Sequence, residues 1–222
     1  MKRFSAIKSF TNLLKNNDIV IFSGKDMCAE AYQYDKPGYF YIDDTFGISI
    51  SFALGVALST DKRVFVFVGE GDLLRELAVL GQVAVSKCKN MFVIILDNGV
   101  YQSSGGQPNI FSSFMSKKGF IYNLGCLVHD FTFHFKNKYF VEIKSAVDRI
   151  RGPMIILVDV DKGIKRAASN YKLTPIKQKN KLMKFVQNKE LGTELFTPPG
   201  LITALKNEKI KSISMKNSGG IN

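Results

Sequence analysis

The sequence is poor in several residue types on which whole classes of function depend. Its 222 residues hold three cysteines, Cys28, Cys88 and Cys126, far apart along the chain. No C-x-x-C pair occurs, so neither a zinc ribbon nor an iron–sulfur cluster is indicated, and isolated cysteines fit free thiols in a reducing compartment. The two histidines, His129 and His134, lie in an aromatic-rich patch with no third ligand in view and read as ordinary packing or surface residues. No apolar run approaches the roughly 20 residues of a membrane span. The opening Met1-Lys2-Arg3-Phe4 lacks the apolar core of a signal peptide. The expectation is a cytoplasmic protein with no membrane partner. There is no internal repeat either.

Acidic residues are scarce in one region only. The formal net charge is +12, yet the segment 162–222 alone holds thirteen Lys/Arg against three Asp/Glu. The first 161 residues are therefore close to neutral, and the basic character belongs to a C-terminal tail. Such a tail can meet nucleic acid, meet an acidic partner or simply be a solvated surface. It carries no aromatic-rich or zinc-finger pattern, which argues against nucleic acid.

What is present is a regular alternation of helical and extended patterns. Phe4 to Leu14 has helical spacing, and Ile19 to Phe22 is a short buried strand. Ser23-Gly24-Lys25-Asp26 breaks it before a short helix over Met27 to Tyr34. Tyr39 to Ile42 is a second strand. Asp43-Asp44-Thr45-Phe46-Gly47 leads into an Ala/Gly-rich apolar helix, Ile48 to Leu58. Then come strand Val64 to Val68, a helix from about Leu73 to Lys87, and strand Met91 to Leu96. A helix is expected over Ile110 to Phe120. Leu124 to Phe135 fits either state. Phe140 to Arg149 is helical, and Met154 to Val158 is the last strand. This is an α/β, doubly wound pattern: a mostly parallel sheet sandwiched by helices, followed by the basic C-terminal tail. The domain is expected to span residues 1–161. The extension 162–222 is expected to be partly helical, with Lys177 to Gln187 amphipathic and its Leu182, Phe185 and Val186 free to dock on the core or on a partner.

One stretch carries chemistry. Gly69-Glu70-Gly71-Asp72 follows a strand and opens a helix. Asp97-Asn98-Gly99-Val100-Tyr101 follows the next strand and continues to Gly105-Gly106-Gln107-Pro108. Flanking glycines permit a tight turn with outward N–H groups at a helix start, which suits a phosphate. A carboxylate there repels a naked phosphate unless a divalent cation stands between them. Magnesium takes oxygen ligands, one or two from side chains and the rest from phosphate and water. Asn98, 28 positions beyond Glu70, supplies a neutral oxygen, and the Val100 carbonyl is a third candidate. The plain alternative is that Gly69 and Gly71 only make a strand–helix turn. Lys25 likewise could meet an anion or merely extend its stem along the surface.

The pairing of Gly69-Glu70-Gly71-Asp72 with Asp97-Asn98 resembles the thiamine-diphosphate-binding motif, which reads G-D-G and ends in N-N. The resemblance extends over residues 15–160. The loop from Asn98 to Pro108 looks like that of phosphonopyruvate and sulfopyruvate decarboxylases, N-G-x-Y-x-x-x-G-G-Q-P. The beta subunits of 2-oxoacid:ferredoxin oxidoreductases are a second match. The resemblance implies thiamine diphosphate and Mg2+ as cofactors, with Glu70, Asn98 and Val100 as metal ligands. It implies cofactor contacts from Ser23, Gly24 and Lys25 on one side of the diphosphate. On the other side it implies Gly69, Gly71, Asp72 and Leu73, with Asn98 and Tyr101 from the loop. Asp44, Thr45 and Phe46 match the family's G-S-M, with Phe46 propping the bent cofactor.

The implied reaction is loss of carbon dioxide from a small anionic 2-oxo acid, the cofactor acting as electron sink. The chain matches only the diphosphate half of such enzymes. The activating glutamate is therefore expected on a separate subunit carrying the pyrimidine-binding domain, within a homo- or hetero-oligomer, and no catalytic residue is assigned here. Glu70, Asp72 and Asp44 depart from the family's Asp, Ser or Ala, and Gly. The alternatives are an oxidoreductase beta-like subunit or a catalytically degenerate scaffold homologue.

Overall fold

Alternation within the buried strands decides which residues share a face. In Val64-Phe65-Val66-Phe67-Val68 the valines leave on one side and the phenylalanines on the other, because successive strand side chains point oppositely. Both sides are apolar, so both must be covered, and that is the condition of a parallel sheet. The computed structural model describes residues 1–43, 46–86, 88–113, 116–130, 138–149, 152–164 and 174–187. Within them one sheet is formed by β1 (Ile19–Ser23), β2 (Tyr39–Ile42), β3 (Val64–Gly69), β4 (Met91–Asp97), β5 (Leu127–Asp130) and β6 (Met154–Asp159). Its order is β2-β1-β3-β4-β6-β5, and every neighbouring pair is parallel.

Each face has its own core. Ile19, Ile21, Val64, Val66, Val93 and Ile95 form an aliphatic layer. It is covered by α3 (Ser49–Leu58), α5 (Leu77–Ser86), α6 (Lys117–Asn123) and α8 (Pro175–Gln187). Phe22, Phe65, Phe67 and Phe92 form an aromatic layer against α1 (Arg3–Leu13), α2 (Lys25–Tyr32) and α7 (Lys138–Arg149). Phe22 and Phe67 stack at 4.9 Å between ring centroids, and Phe65 and Phe92 at 4.8 Å. The three cysteines are buried free thiols. Among the described residues no helix is long and apolar enough to cross a membrane.

Three elements differ from their sequence reading. The helix expected over Leu73 to Lys87 is two: α4 (Glu70–Arg75) and α5, parted at Glu76, whose φ of −111° is not helical. The segment expected as one helix from Ile110 begins as a 3-10 turn, Ile110–Ser113, and α6 starts at Lys117 with the Ser116 hydroxyl accepting from Gly119 N–H at 3.0 Å. The ambiguous Leu124 to Phe135 contains β5, which carries the backbone of His129; His134 lies outside the described residues.

The compact unit runs from Met1 to Gln187, past the boundary expected at Asp161. Its last element explains why. α8 lies along the edge strand β2, where Gln178 Oε1 accepts from Tyr41 N–H at 2.7 Å and Leu182 enters the aliphatic core. Lys62 Nζ sits 4.0 Å from the centroid of Phe185. A side chain thus satisfies an edge-strand N–H that would otherwise invite another strand.

Candidate functional site

The strand order places the site. The chain runs outward from β1 to β2 and then returns to the other side of β1 as β3. Between β1 and β3 the connections leave to opposite sides, and open parallel sheets bind ligands outside the carboxyl ends of the strands at such a switch point. Here a cleft opens, lined by residues from the ends of β1, β3 and β4.

From β1 the wall is Ser23, Gly24 and Lys25. Gly24 has φ of +85°, a left-handed value that disfavours any side chain, and it turns the chain directly into α2. From β3 and α4 come Gly69, Glu70, Gly71 and Asp72. The β4 loop adds Asn98, Val100 and Tyr101, and Phe46 lines the cleft beside Gly24. These residues, far apart in sequence, are brought into one cleft. Leu73 is not: it is fully buried in the aliphatic core. Asp44 and Thr45 lie outside the described residues.

Two side chains of the cleft wall, Asp72 and Ser23, are engaged with protein and with each other. Asp72 accepts from the Ser23 hydroxyl through Oδ2 and from Gly47 N–H through Oδ1 at 2.9 Å. Ser49 Oγ donates to Ser23 Oγ at 2.7 Å. The carboxylate therefore ties the end of β1, the loop before α3 and the start of α4 together. Phe46 is 44% exposed at the cleft, and the Arg75 guanidinium lies 4.8 Å from its ring centroid.

Glu70 forms the buried floor. Its Oε1 accepts from Asn109 Nδ2 at 2.7 Å and its Oε2 lies 3.4 Å from Asn98 N. Burial chiefly, and then the neighbouring Asp97 carboxylate, push its carboxyl up to about 7, against the opposing effect of backbone N–H bonds from Asn98 and Val100. Asp97 itself is engaged by Lys117, whose Nζ donates to its Oδ2, and by Gly99 N–H, which donates to its Oδ1 at 2.9 Å. Asn98 Oδ1 accepts from Val100 N–H at 2.9 Å, which curls the loop so that the Asn98 amide and Val100 both border the cleft. The loop then doubles back: Tyr101 N–H donates to Gln107 O at 2.8 Å, Asn109 N–H to Gly99 O at 3.2 Å, and Val100 bridges Pro108. Tyr101 lies on α4 so closely that a Cβ at Gly71 would stand 3.0 Å from its ring.

A buried carboxyl whose described partners are neutral is the charge that a divalent cation complements. Among the described residues no group of three or more His, Cys, Asp or Glu could hold a metal by itself. An ion at Glu70 would thus need neutral protein oxygens and ligand oxygens, the donor set that suits magnesium.

The sequence profile described as thiamine pyrophosphate enzyme, C-terminal TPP binding domain, matches residues 25–156, more than half of the chain. The chain belongs to this family. As a thiamine pyrophosphate-binding domain it is 26% identical over 192 residues to the sulfopyruvate decarboxylase subunit beta of Methanocaldococcus jannaschii, covering 84% of this chain and 97% of that one. The corresponding subunit beta of Methanothermobacter thermautotrophicus is 33% identical over 108 residues, covering 48% of this chain and 58% of its own length. A thiamine diphosphate-dependent 4-hydroxybenzoylformate decarboxylase from Rhodococcus jostii RHA1 shares the fold, with a TM-score of 0.55 at 15% identity, over 75% of this chain and 33% of the enzyme. The chain therefore spans nearly all of one relative, just over half of another and a third of the solved enzyme.

Residue types and spacing did not reveal Asn109, Glu76, Lys117 or Arg3. Asn109 directly follows the Gly105-Gly106-Gln107-Pro108 run, and that adjacency was its one signal. The others are joined to the site only by tertiary packing.

Proposed function

We propose that this chain is the diphosphate-binding subunit of a thiamine-diphosphate-dependent 2-oxo acid decarboxylase of the phosphonopyruvate/sulfopyruvate type. The observation that carries the reading is the near full-length match to a sulfopyruvate decarboxylase subunit beta. In this reading Glu70, the Asn98 side chain and the Val100 carbonyl hold Mg2+. The Gly71 and Asp72 N–H groups and the Ser23-Gly24 turn hold the diphosphate, and Lys25 adds a positive charge at the rim. Phe46 props the cofactor from the side, and the Tyr101 ring, packed on Gly71, shields the diphosphate from water. Bound thiamine diphosphate supplies an electron sink for loss of carbon dioxide.

The replacement of Gly-Asp-Gly by Gly69-Glu70-Gly71 is compatible with this role. The longer side chain is steadied by Asn109 Nδ2 at 2.7 Å, a second anchor that keeps one carboxyl oxygen for the ion. The Asp72 carboxylate is held by the Ser23 hydroxyl and Gly47 N–H, neutral donors that stabilise its charge within the protein. The activating glutamate is assigned to a partner chain that carries the pyrimidine-binding domain.

Calorimetric titration of the chain with thiamine diphosphate and Mg2+, alone and with the partner chain, tests the reading. Glu70→Ala and Asn98→Ala should each weaken Mg2+-dependent binding by about tenfold or more, at least the loss that removing a hydrogen-bond partner of a metal ligand brings. No binding by the unaltered protein in either setting would overturn the enzyme reading. Iron–sulfur bands in the visible absorbance of the assembled complex would instead favour an oxidoreductase.

A further inference from the structure

Glu70 and Asp72 in the cleft are hydrogen-bonded, but one of its cations is only half satisfied. Arg3, the first residue of α1, lines the cleft with its side chain only 10% exposed. It is held through one nitrogen: Nε donates to Glu30 Oε2 at 2.8 Å, and Glu30, on α2, is 1% exposed. Nη2 is buried and has no hydrogen-bond partner among the described residues. Leaving the donors of a charged group unmade in a dry site is costly, so a native protein rarely tolerates it without a reason.

The acids nearby do not supply the missing acceptor. Asp72 is engaged by Ser23 and Gly47, and Glu70 by Asn109. The placement of Arg3 is also built into the fold: Asp161 N–H donates to Met1 O at 2.7 Å and Lys2 bridges Asp161, which pins the chain just before α1 to the end of β6. Glu30 then fixes the guanidinium plane. A planar guanidinium anchored at Nε presents its remaining N–H groups in a fork that fits a tetrahedral oxyanion.

We propose that Arg3, oriented by Glu30, is an oxyanion receptor of this cleft and binds a phosphoryl or sulfonyl group. Two sources share that chemistry: the diphosphate of the cofactor, and the second anionic group of a 2-oxo acid substrate. The choice between them rests on the function proposed above; the receptor itself rests on the buried, unsatisfied Nη2.

The intact chain is titrated by calorimetry with three probes: inorganic phosphate, sulfoacetate, and thiamine diphosphate with Mg2+. Arg3→Gln is compared with the unaltered protein. Because that change takes the guanidinium away from the buried Glu30 carboxylate, the double variant Arg3→Met/Glu30→Gln removes both charges together. Thermal melts identify folded variants. Affinity for at least one probe should fall by about tenfold or more, the scale of a charge-assisted contact. A fall for sulfoacetate, with thiamine diphosphate within about twofold, assigns the receptor to the substrate; a parallel fall for phosphate and thiamine diphosphate assigns it to the cofactor. No Arg3-dependent change with any probe, in folded variants, overturns the inference. Arg3-dependent uptake of phosphate by a chain that ignores thiamine diphosphate both alone and with the partner chain keeps the receptor and removes the proposed function. Tight thiamine diphosphate binding, with every probe indifferent to Arg3, does the reverse.

Discussion

At the scale of single residues, Glu70 sets binding against stability. Its carboxyl is 3% exposed and pushed up to about 7 from an ordinary 4.5. Between those values the folded chain holds the proton more tightly than the unfolded chain, so stability falls as pH rises from 4.5 to 7 and is flat above. The penalty at neutral pH is about 3 kcal/mol, since each tenfold change in proton affinity is worth roughly 1.4 kcal/mol. Glu70→Gln should therefore raise the melting temperature of the cofactor-free protein at pH 8 and leave it nearly unchanged at pH 4, while Mg2+-dependent cofactor binding is lost. Melting curves across that range check it. A gain independent of pH would show that the carboxyl charge is not its cause.

Glu76 and Gln178 act on whole elements. Glu76 breaks the expected helix, and its carboxylate accepts from Ile50 N–H at 3.1 Å, Ser51 N–H at 2.9 Å and Ser51 Oγ at 3.0 Å. It is a cap for α3 supplied from another part of the chain, satisfying N–H groups that the helix itself leaves open. Glu76→Ala should destabilise by about 2 kcal/mol in denaturant unfolding, since one buried and one partly buried N–H donor lose their acceptor. The loop before α3 should also loosen, because Asp72 holds Gly47 only while α3 stays in place. Gln178 seals the edge of the sheet. Gln178→Ala should cost about 1 kcal/mol and speed hydrogen exchange at the Tyr41 amide, with little effect at Val66 in the sheet centre. Equal protection of both amides would mean that α8 does not guard the edge.

For the whole molecule, the sheet order determines where chemistry can occur. Between β1 and β3 the connections diverge, so the Ser23 turn, the Glu70 helix start and the Asn98 loop face one another across a gap rather than packing shut. On the function proposed above, the chain carries the diphosphate half of a cofactor site. By itself it should release no carbon dioxide from sulfopyruvate or phosphonopyruvate, and a chain carrying the pyrimidine-binding domain should restore release. Chelation of Mg2+ in that assembly should abolish it, with recovery on adding the metal back. Turnover by the isolated chain would remove the two-chain arrangement.

The local grammar was legible in the sequence. Alternating Val and Phe in β3 announced a sheet buried on both faces. The Gly-rich turns marked strand ends, and residue type and spacing singled out Glu70 and Asn98, which the fold brings into one cleft. These are properties of neighbours in the chain, or of a motif whose backbone geometry travels with it. The uses of Asp72, Glu76, Asn109, Gln178 and Arg3 were not legible. Asp72 looked like a charge aimed at phosphate and is a clamp. Glu76 looked like a residue inside a helix and is another helix's cap. Gln178 looked like part of a solvated basic tail and completes the sheet edge. Each finds its partner at long range, and which polar group meets which buried donor is decided only when the layers pack and every unmade hydrogen bond acquires a cost.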